Sequence, residues 1–437
     1  MRSLGGRTSG MLSCGPLRMT GLLNWYLTME ILSSRNNTVS DAGSIQPGTS
    51  NGILDKSSNH RNLQRNKSER LAWMDLLRVI CLFLVVLIHV CACVSGGAAV
   101  RGVSSTECGL AGLIVSCFYV VSRGVAVPLL IMISGALLLG RNESVTTFYR
   151  KRFGKILVPF LAWSCISILC LWLAGQTLRD GTPITLTSSL GAILSGNIVG
   201  GFWFLYMLIS LYLAAPFLSI LVRNAPKSTM MWFLILWWFA IAVFPVLDSI
   251  AQESLDIEGI TVYFQFHLVA HWVGLFVAGY VLKDVLISKR WALIALAVWF
   301  CLSLMRPVST HVCYNYPDSS ITLCLIFMDK YIFPIVLCHA VLPLMVFLAF
   351  RSLCDHPSVV SSRLGRIIIS FAPLTFGIYL CHHLVFQPVM RKLALGSCDS
   401  LLLVLWAIPA LSLLFFVVTA GVVYGMRRSR YLKFLVP

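Results

Sequence analysis

The stretch LAWMDLLRVICLFLVVLIHVCACV, residues 71–94, decides the fold. Its 24 residues are apolar almost throughout and, as a helix rising 1.5 Å per residue, would reach about 36 Å, enough to cross a hydrocarbon core of about 30 Å. Runs of the same kind recur at 124–140, 154–175, 202–222, 230–248, 262–282, 291–306, 329–350, 366–387 and 401–425. They are continuous, whereas a membrane β-strand would alternate apolar and polar residues over about ten positions. The expected fold is all-α, a polytopic integral membrane bundle of about ten transmembrane helices, because helices satisfy their own backbone polar groups in lipid.

Composition agrees. The chain is 58% hydrophobic and 12% charged, where a soluble domain carries about 25% charged residues. A net charge of +17 would suit nucleic acid, but the basic residues sit in short connections between apolar runs, where they set orientation. Membrane lipid is therefore the expected partner and nucleic acid is not. One set of connections, from Arg141 through Arg152 and Lys155 to Lys433, holds seventeen Lys and Arg, and the alternate set holds six. This bias places both termini in the cytoplasm. Most of the fifteen cysteines lie inside apolar runs, where Cys behaves as a small hydrophobe; Cys108, Cys313 and Cys398 fall in connections expected outside.

Residues 1–68 read as a disordered, basic and polar extension, without apolar periodicity over Ser33–Lys67. The apolar patch Gly21–Leu32 is too short to span, and Met11, Met19 and Met29 leave later starts open. Residues 69–430 form the membrane domain and 431–437 a short cytoplasmic tail. Residues 109–140 are too long for one upright span, and Arg123, Gly124 and Pro128 are expected to break them.

Charges inside a membrane span are costly, at least about 2.5 kcal/mol each at its centre, and so point to function or pairing. Arg78 and His89 stand eleven residues apart, close to three helical turns, so they share a face, with His89 about 16 Å further along. Asp75, three residues before Arg78, joins them. The alternative is a structural Asp75–Arg78 pair and a histidine satisfied by a neighbouring helix. His267 and His271, four apart, share a face but lack a third ligand at helical spacing, and no metal is expected.

The spacing Arg78-x10-His89 after Trp73-Met-Asp75 resembles the signature of the membrane acyltransferase-3 family of O-acyltransferases. SRGVAVPLLIMISG (122–135), FYRKRFGKILVP (148–159), WFLYMLISLYLAAP (203–216) and FGIYLCH (376–382) are similar to further family segments, in the family's order. The likeness covers residues 69 to about 430 and is nearest to short, ten-helix members that O-acetylate surface polysaccharides. At Gly201, two residues before Trp203-Phe204, family members often carry a histidine.

The resemblance implies an acyltransferase with no permanently bound cofactor, taking acetyl-CoA or another acyl-CoA as cytoplasmic donor. A hydroxyl of a surface glycan or lipid-linked sugar is the acceptor, and the bacterial inner membrane the location. Arg78, Arg152 and Lys155 would bind the donor phosphates, with Asp75 orienting Arg78. His89 would serve either as general base or as covalent acyl carrier. Arg123 and Ser134 would stabilise the carbonyl oxygen as charge develops; close helix packing accounts equally well for Ser134-Gly135. Trp203, Tyr379 and His382 are second-tier candidates. The rival reading is a transporter or flippase of a lipid-linked glycan, since intramembrane Arg, Asp and His also mark transport paths; the sequence shows no internal repeat of the kind transporters carry.

Overall fold

The structure is a computed structural model that describes residues 52–94, 109–198, 200–243, 246–247, 250–251, 272–316, 319–328, 341–354, 359, 361–393 and 401–437. Side chains are described from Ala72 onward, except at 200, 323, 386–393 and 401–403. The chain divides into Met1–Leu63 and Gln64–Pro437, and every side-chain contact below lies within the second unit.

Among the described residues every regular element is a helix. In chain order the helices are α1 (Gly52–Val94), α2 (Gly109–Arg123), α3 (Ala126–Leu138), α4 (Val145–Leu173), α5 (Leu186–Ser195), α6 (Trp203–Asn224) and α7 (Lys227–Ala242). There follow α8 (Trp272–Leu282), α9 (Lys289–Asn315), α10 (Ser320–Phe327), α11 (Val341–Leu353), α12 (Arg363–Ser370), α13 (Thr375–Leu393) and α14 (Leu401–Arg428). Two 3-10 turns precede helices: Gly200–Phe202 leads into α6 and Ala372–Leu374 into α13.

Seven stretches are long and apolar enough to cross a membrane: Ala72–Val94, Gly109–Leu138, Val145–Leu173, Trp203–Asn224, Lys289–Asn315, Arg363–Val385 and Val404–Arg428. The chain is a multi-pass membrane protein. Seven rather than ten helices reach full spanning length among the described residues. The expected spans 230–248, 262–282 and 329–350 meet the shorter apolar helices α7, α8 and α11, and each runs into residues outside the described ones. His267, His271, Cys108, Cys398 and residues 1–51 also lie outside them.

Residues 109–140 divide as expected. The first helix stops at Arg123, the second starts at Ala126, and the two take different neighbours: α2 packs against α9 and α14, α3 against α8. Elsewhere the boundaries shift. Helix α4 begins at Val145 rather than 154, because the Ser144 hydroxyl accepts from the Thr147 backbone N–H and caps it. Arg150, Lys151, Arg152 and Lys155 therefore lie on the first turns of a helix, and not in a connection. Helix α1 likewise reaches back to Gly52, into the stretch read as unpatterned.

Lipid is as apolar as Leu, so helices in a membrane associate through close packing more than through the hydrophobic effect. The α3–α8 pair shows this. A Cβ on Gly135 would overlap the Phe276 backbone, and one on Gly279 would overlap the Met132 backbone. Helix α1 runs through the core. Trp73 is 2% exposed and meets the Phe347 ring of α11 edge-on at 5.4 Å, and Phe83 meets Phe416 of α14 at 6.1 Å. Arg351 lies over the Trp73 ring at 5.5 Å while its Nε donates to the Lys283 carbonyl at 2.8 Å. The peripheral extreme is α9, where only 22% of the spanning window is buried.

Candidate functional site

Helix α1 presents Asp75, Arg78 and His89 to two different surroundings. At the first end Arg78 donates to Asp75 at 3.0 Å, and both side chains remain about a third exposed. A pair so exposed is worth up to about 1 kcal/mol, so it organises Arg78 more than it stabilises the fold. On α6, Tyr212 meets the Phe148 ring of α4 edge-on at 6.2 Å, which joins these two helices beside Arg152.

Arg152 lies over the Phe148 ring at 5.7 Å and faces Glu143 at 4.0 Å. Lys151 donates to the other oxygen of Glu143 at 2.5 Å, and this hydrogen bond holds the Glu143 carboxyl below the usual carboxylate range. The Nε of Arg152 is buried without a hydrogen-bond partner among the described residues. Phe153, Ile156, Leu157 and Ile209 line a small recess beside Arg152 and Tyr212. Lys155 is exposed. This end of the bundle offers guanidinium groups whose fork geometry suits phosphate oxygens.

The other end is built from imidazoles. His89 meets His382 at 5.2 Å between ring centroids and His383 at 4.2 Å, and the latter two stand 4.8 Å apart. The Nδ1 of His382 lies 2.6 Å from the Tyr379 carbonyl and 3.2 Å from that of Ile378. Carbonyls only accept, so Nδ1 carries the proton and the lone pair of His382 is on Nε2. The Tyr379 hydroxyl donates to the Gly201 carbonyl, and Phe204 packs against the Tyr379 ring at 5.2 Å. Three motif segments far apart in sequence, around His89, Gly201–Phe204 and Phe376–His382, thus meet at one place.

At Gly201, where the resemblance leads one to expect a histidine, the ring of His383 fills the space: a Cβ there would stand 2.9 Å from its Cδ2 and Nε2. His383 is the residue that sequence reasoning missed. Its only signal was adjacency to His382, and neighbours on a helix point about 100° apart, so nothing local said that both would reach His89.

The ligand nitrogens of the three histidines lie within 4.8 Å of one another. Tetrahedral zinc, with Zn–N of about 2.0–2.1 Å, would bring its nitrogens to about 3.3 Å, so the rings would have to close in to hold it.

The remaining expected residues make other contacts. The Ser134 hydroxyl donates to the Leu130 carbonyl at 2.8 Å, and Gly135 beside it serves the α3–α8 contact. Arg123 is exposed, over the Tyr119 ring at 5.8 Å. Neither touches the histidines among the described contacts. Trp203 is 45% exposed and lies beside Trp272 at 5.7 Å, as a packing aromatic would.

A family model described as an acyltransferase domain matches residues 71–427, from the beginning of the first span to the end of α14. No curated protein and no solved structure gives a significant match.

Proposed function

The chain belongs to the acyltransferase domain family, and from that premise we propose that it moves an acyl group, expected to be acetyl, from cytoplasmic acyl-CoA to a hydroxyl of a surface polysaccharide or its lipid-linked precursor. The observation that carries this reading is one helix joining two unlike polar sites. At its first end Arg78 is paired with Asp75, and its His89 end meets His382 and His383, about 16 Å further along. A donor with a phosphate-rich head and a long thioester arm matches that division.

In this reading Arg78 and Arg152 hold the phosphates, Lys155 adds charge at the mouth, and Asp75 keeps Arg78 in place. The arm runs along α1 and presents the thioester carbonyl to His89. As general base, His89 takes the acceptor's hydroxyl proton while oxygen attacks the carbonyl carbon. The C–S bond then breaks, and the proton passes to the departing thiolate to give the CoA thiol. As covalent carrier, the imidazole nitrogen attacks first and the C–S bond breaks to release CoA thiolate. The acceptor oxygen then attacks the acyl-imidazole, the N–C bond breaks, and the hydroxyl proton passes to the thiolate to give the CoA thiol. The Arg78 end and both termini face the cytoplasm of a bacterial cell, whose inner membrane holds the protein.

The test is surface-glycan acylation in cells lacking the native gene, complemented with wild type or with His89→Ala at equal membrane abundance. Ester-linked acyl groups restored by wild type and absent with His89→Ala are the expected result. If wild type restores no acylation but alters glycan export, a transporter reading replaces this one.

A further inference from the structure

His89 lies against two successive residues of one helix, His382 and His383, whose directions differ by about 100°. Gly201 is what admits the second. Its φ lies outside the left-handed region, so glycine is required there for space and not for backbone conformation. A Cβ would stand 2.9 Å from the His383 ring and 3.9 Å from Nε2 of His89. The Gly201 carbonyl is itself held by the Tyr379 hydroxyl, one helical turn before His383 on α13. The same helix thus fixes the floor of the recess and supplies the ring that fills it.

We propose that His383 is a positioning residue for His89: seated in the space that Gly201 leaves, it fixes the His89 ring and keeps water away from it. The proposal rests on the acyltransferase reading. Its ring meets His89 at an interplanar angle of 68°, edge against face, which blocks rotation of the His89 imidazole. Water admitted beside His89 would be deprotonated as the acceptor hydroxyl is. Its oxygen would attack the thioester, the C–S bond would break, and the products would be a free carboxylate and the CoA thiol. Exclusion of water at this point therefore decides between transfer and hydrolysis.

The experiment compares wild type, Gly201→Ala, His383→Ala, His383→Gln and the Gly201→Ala/His383→Ala double variant, each purified into liposomes with acyl-CoA and a glycan acceptor. Thermal midpoint, acyl transfer and acyl-CoA hydrolysis are measured on each. Gly201→Ala is expected to lower the midpoint, and the lowering should vanish when His383 is Ala. His383→Ala should reduce kcat for transfer by about tenfold to a hundredfold, as a displaced catalytic group does. The donor KM should stay within about twofold, because the phosphate-binding end is untouched. The hydrolysed share of consumed donor should rise, and His383→Gln should recover part of the transfer. Additive midpoints, an unchanged kcat, or transfer and hydrolysis falling in equal proportion would overturn the proposal while leaving the acyltransferase reading in place. Wild type that transfers no acyl group would overturn both.

Discussion

The Tyr379 hydroxyl donates to the backbone carbonyl of Gly201, 178 residues earlier in the chain. Both groups are buried, and a buried polar group that loses its partner costs more than the bond itself contributes. The bond ties the 3-10 turn before α6 to α13, and so sets where the histidines of α13 stand relative to His89 on α1.

Tyr379→Phe removes that donor and leaves the carbonyl unsatisfied. A loss of about 1–3 kcal/mol of stability is expected, with weaker acyl transfer and an unchanged donor KM. Thermal unfolding of the purified protein and steady-state kinetics check it, and a variant with wild-type values in both would show that the bond organises nothing.

His89→Ala should lower transfer by about 10²- to 10⁴-fold, the range of a positioned general base, while the protein still runs as a folded species on size exclusion. Activity within tenfold of wild type would remove His89 from the chemistry.

At the other end of α1, Arg78→Lys keeps the charge but loses the planar fork. The donor KM should rise by about tenfold or more, with a smaller change in kcat, because a charge-assisted hydrogen bond is worth about 1.5–3 kcal/mol. Arg78→Ala should be worse, since it also strands Asp75. Donor saturation curves at fixed acceptor decide this, and equal KM values would place the phosphates elsewhere.

Gly135→Ala should act on the fold and not on the site. Its Cβ would overlap the Phe276 backbone, and forcing α3 and α8 apart costs at least about 1–3 kcal/mol. Membrane abundance and thermal midpoint should fall, with the donor KM of the surviving protein unaltered.

Glu143 gives a pH signature. Lys151 holds its carboxyl below the usual carboxylate range, so the pair adds stability above the unfolded pKa of about 4.3 and loses it as pH falls through the folded value. Midpoints of wild type and Glu143→Gln should differ near neutral pH and converge as pH falls below the unfolded value and through the lower folded one. Identical midpoints throughout would mean that the pair contributes nothing to stability.

By itself the sequence determined the fold class, the membrane setting and the alignment of Arg78 with His89. These depend on local quantities: the length of an apolar run, the rise per residue, and a spacing of eleven that returns to the same helical face. It also located the break at Arg123–Gly124. The expected spans 230–248, 262–282 and 329–350 run past the described parts of α7, α8 and α11. The beginning of α4 was set by a hydroxyl cap that overrode the apolar pattern. Only the tertiary structure decided which residues share a site with His89. Ser134 and Arg123 were candidates by motif, yet the first bonds its own helix and the second lies over Tyr119. His383 carried no motif weight and stands 4.2 Å from His89. The physical reason is that helix periodicity fixes the direction of a side chain about its own axis, whereas the neighbour it meets depends on how closely helices approach, and here that approach turns on the absence of a single Cβ at Gly201.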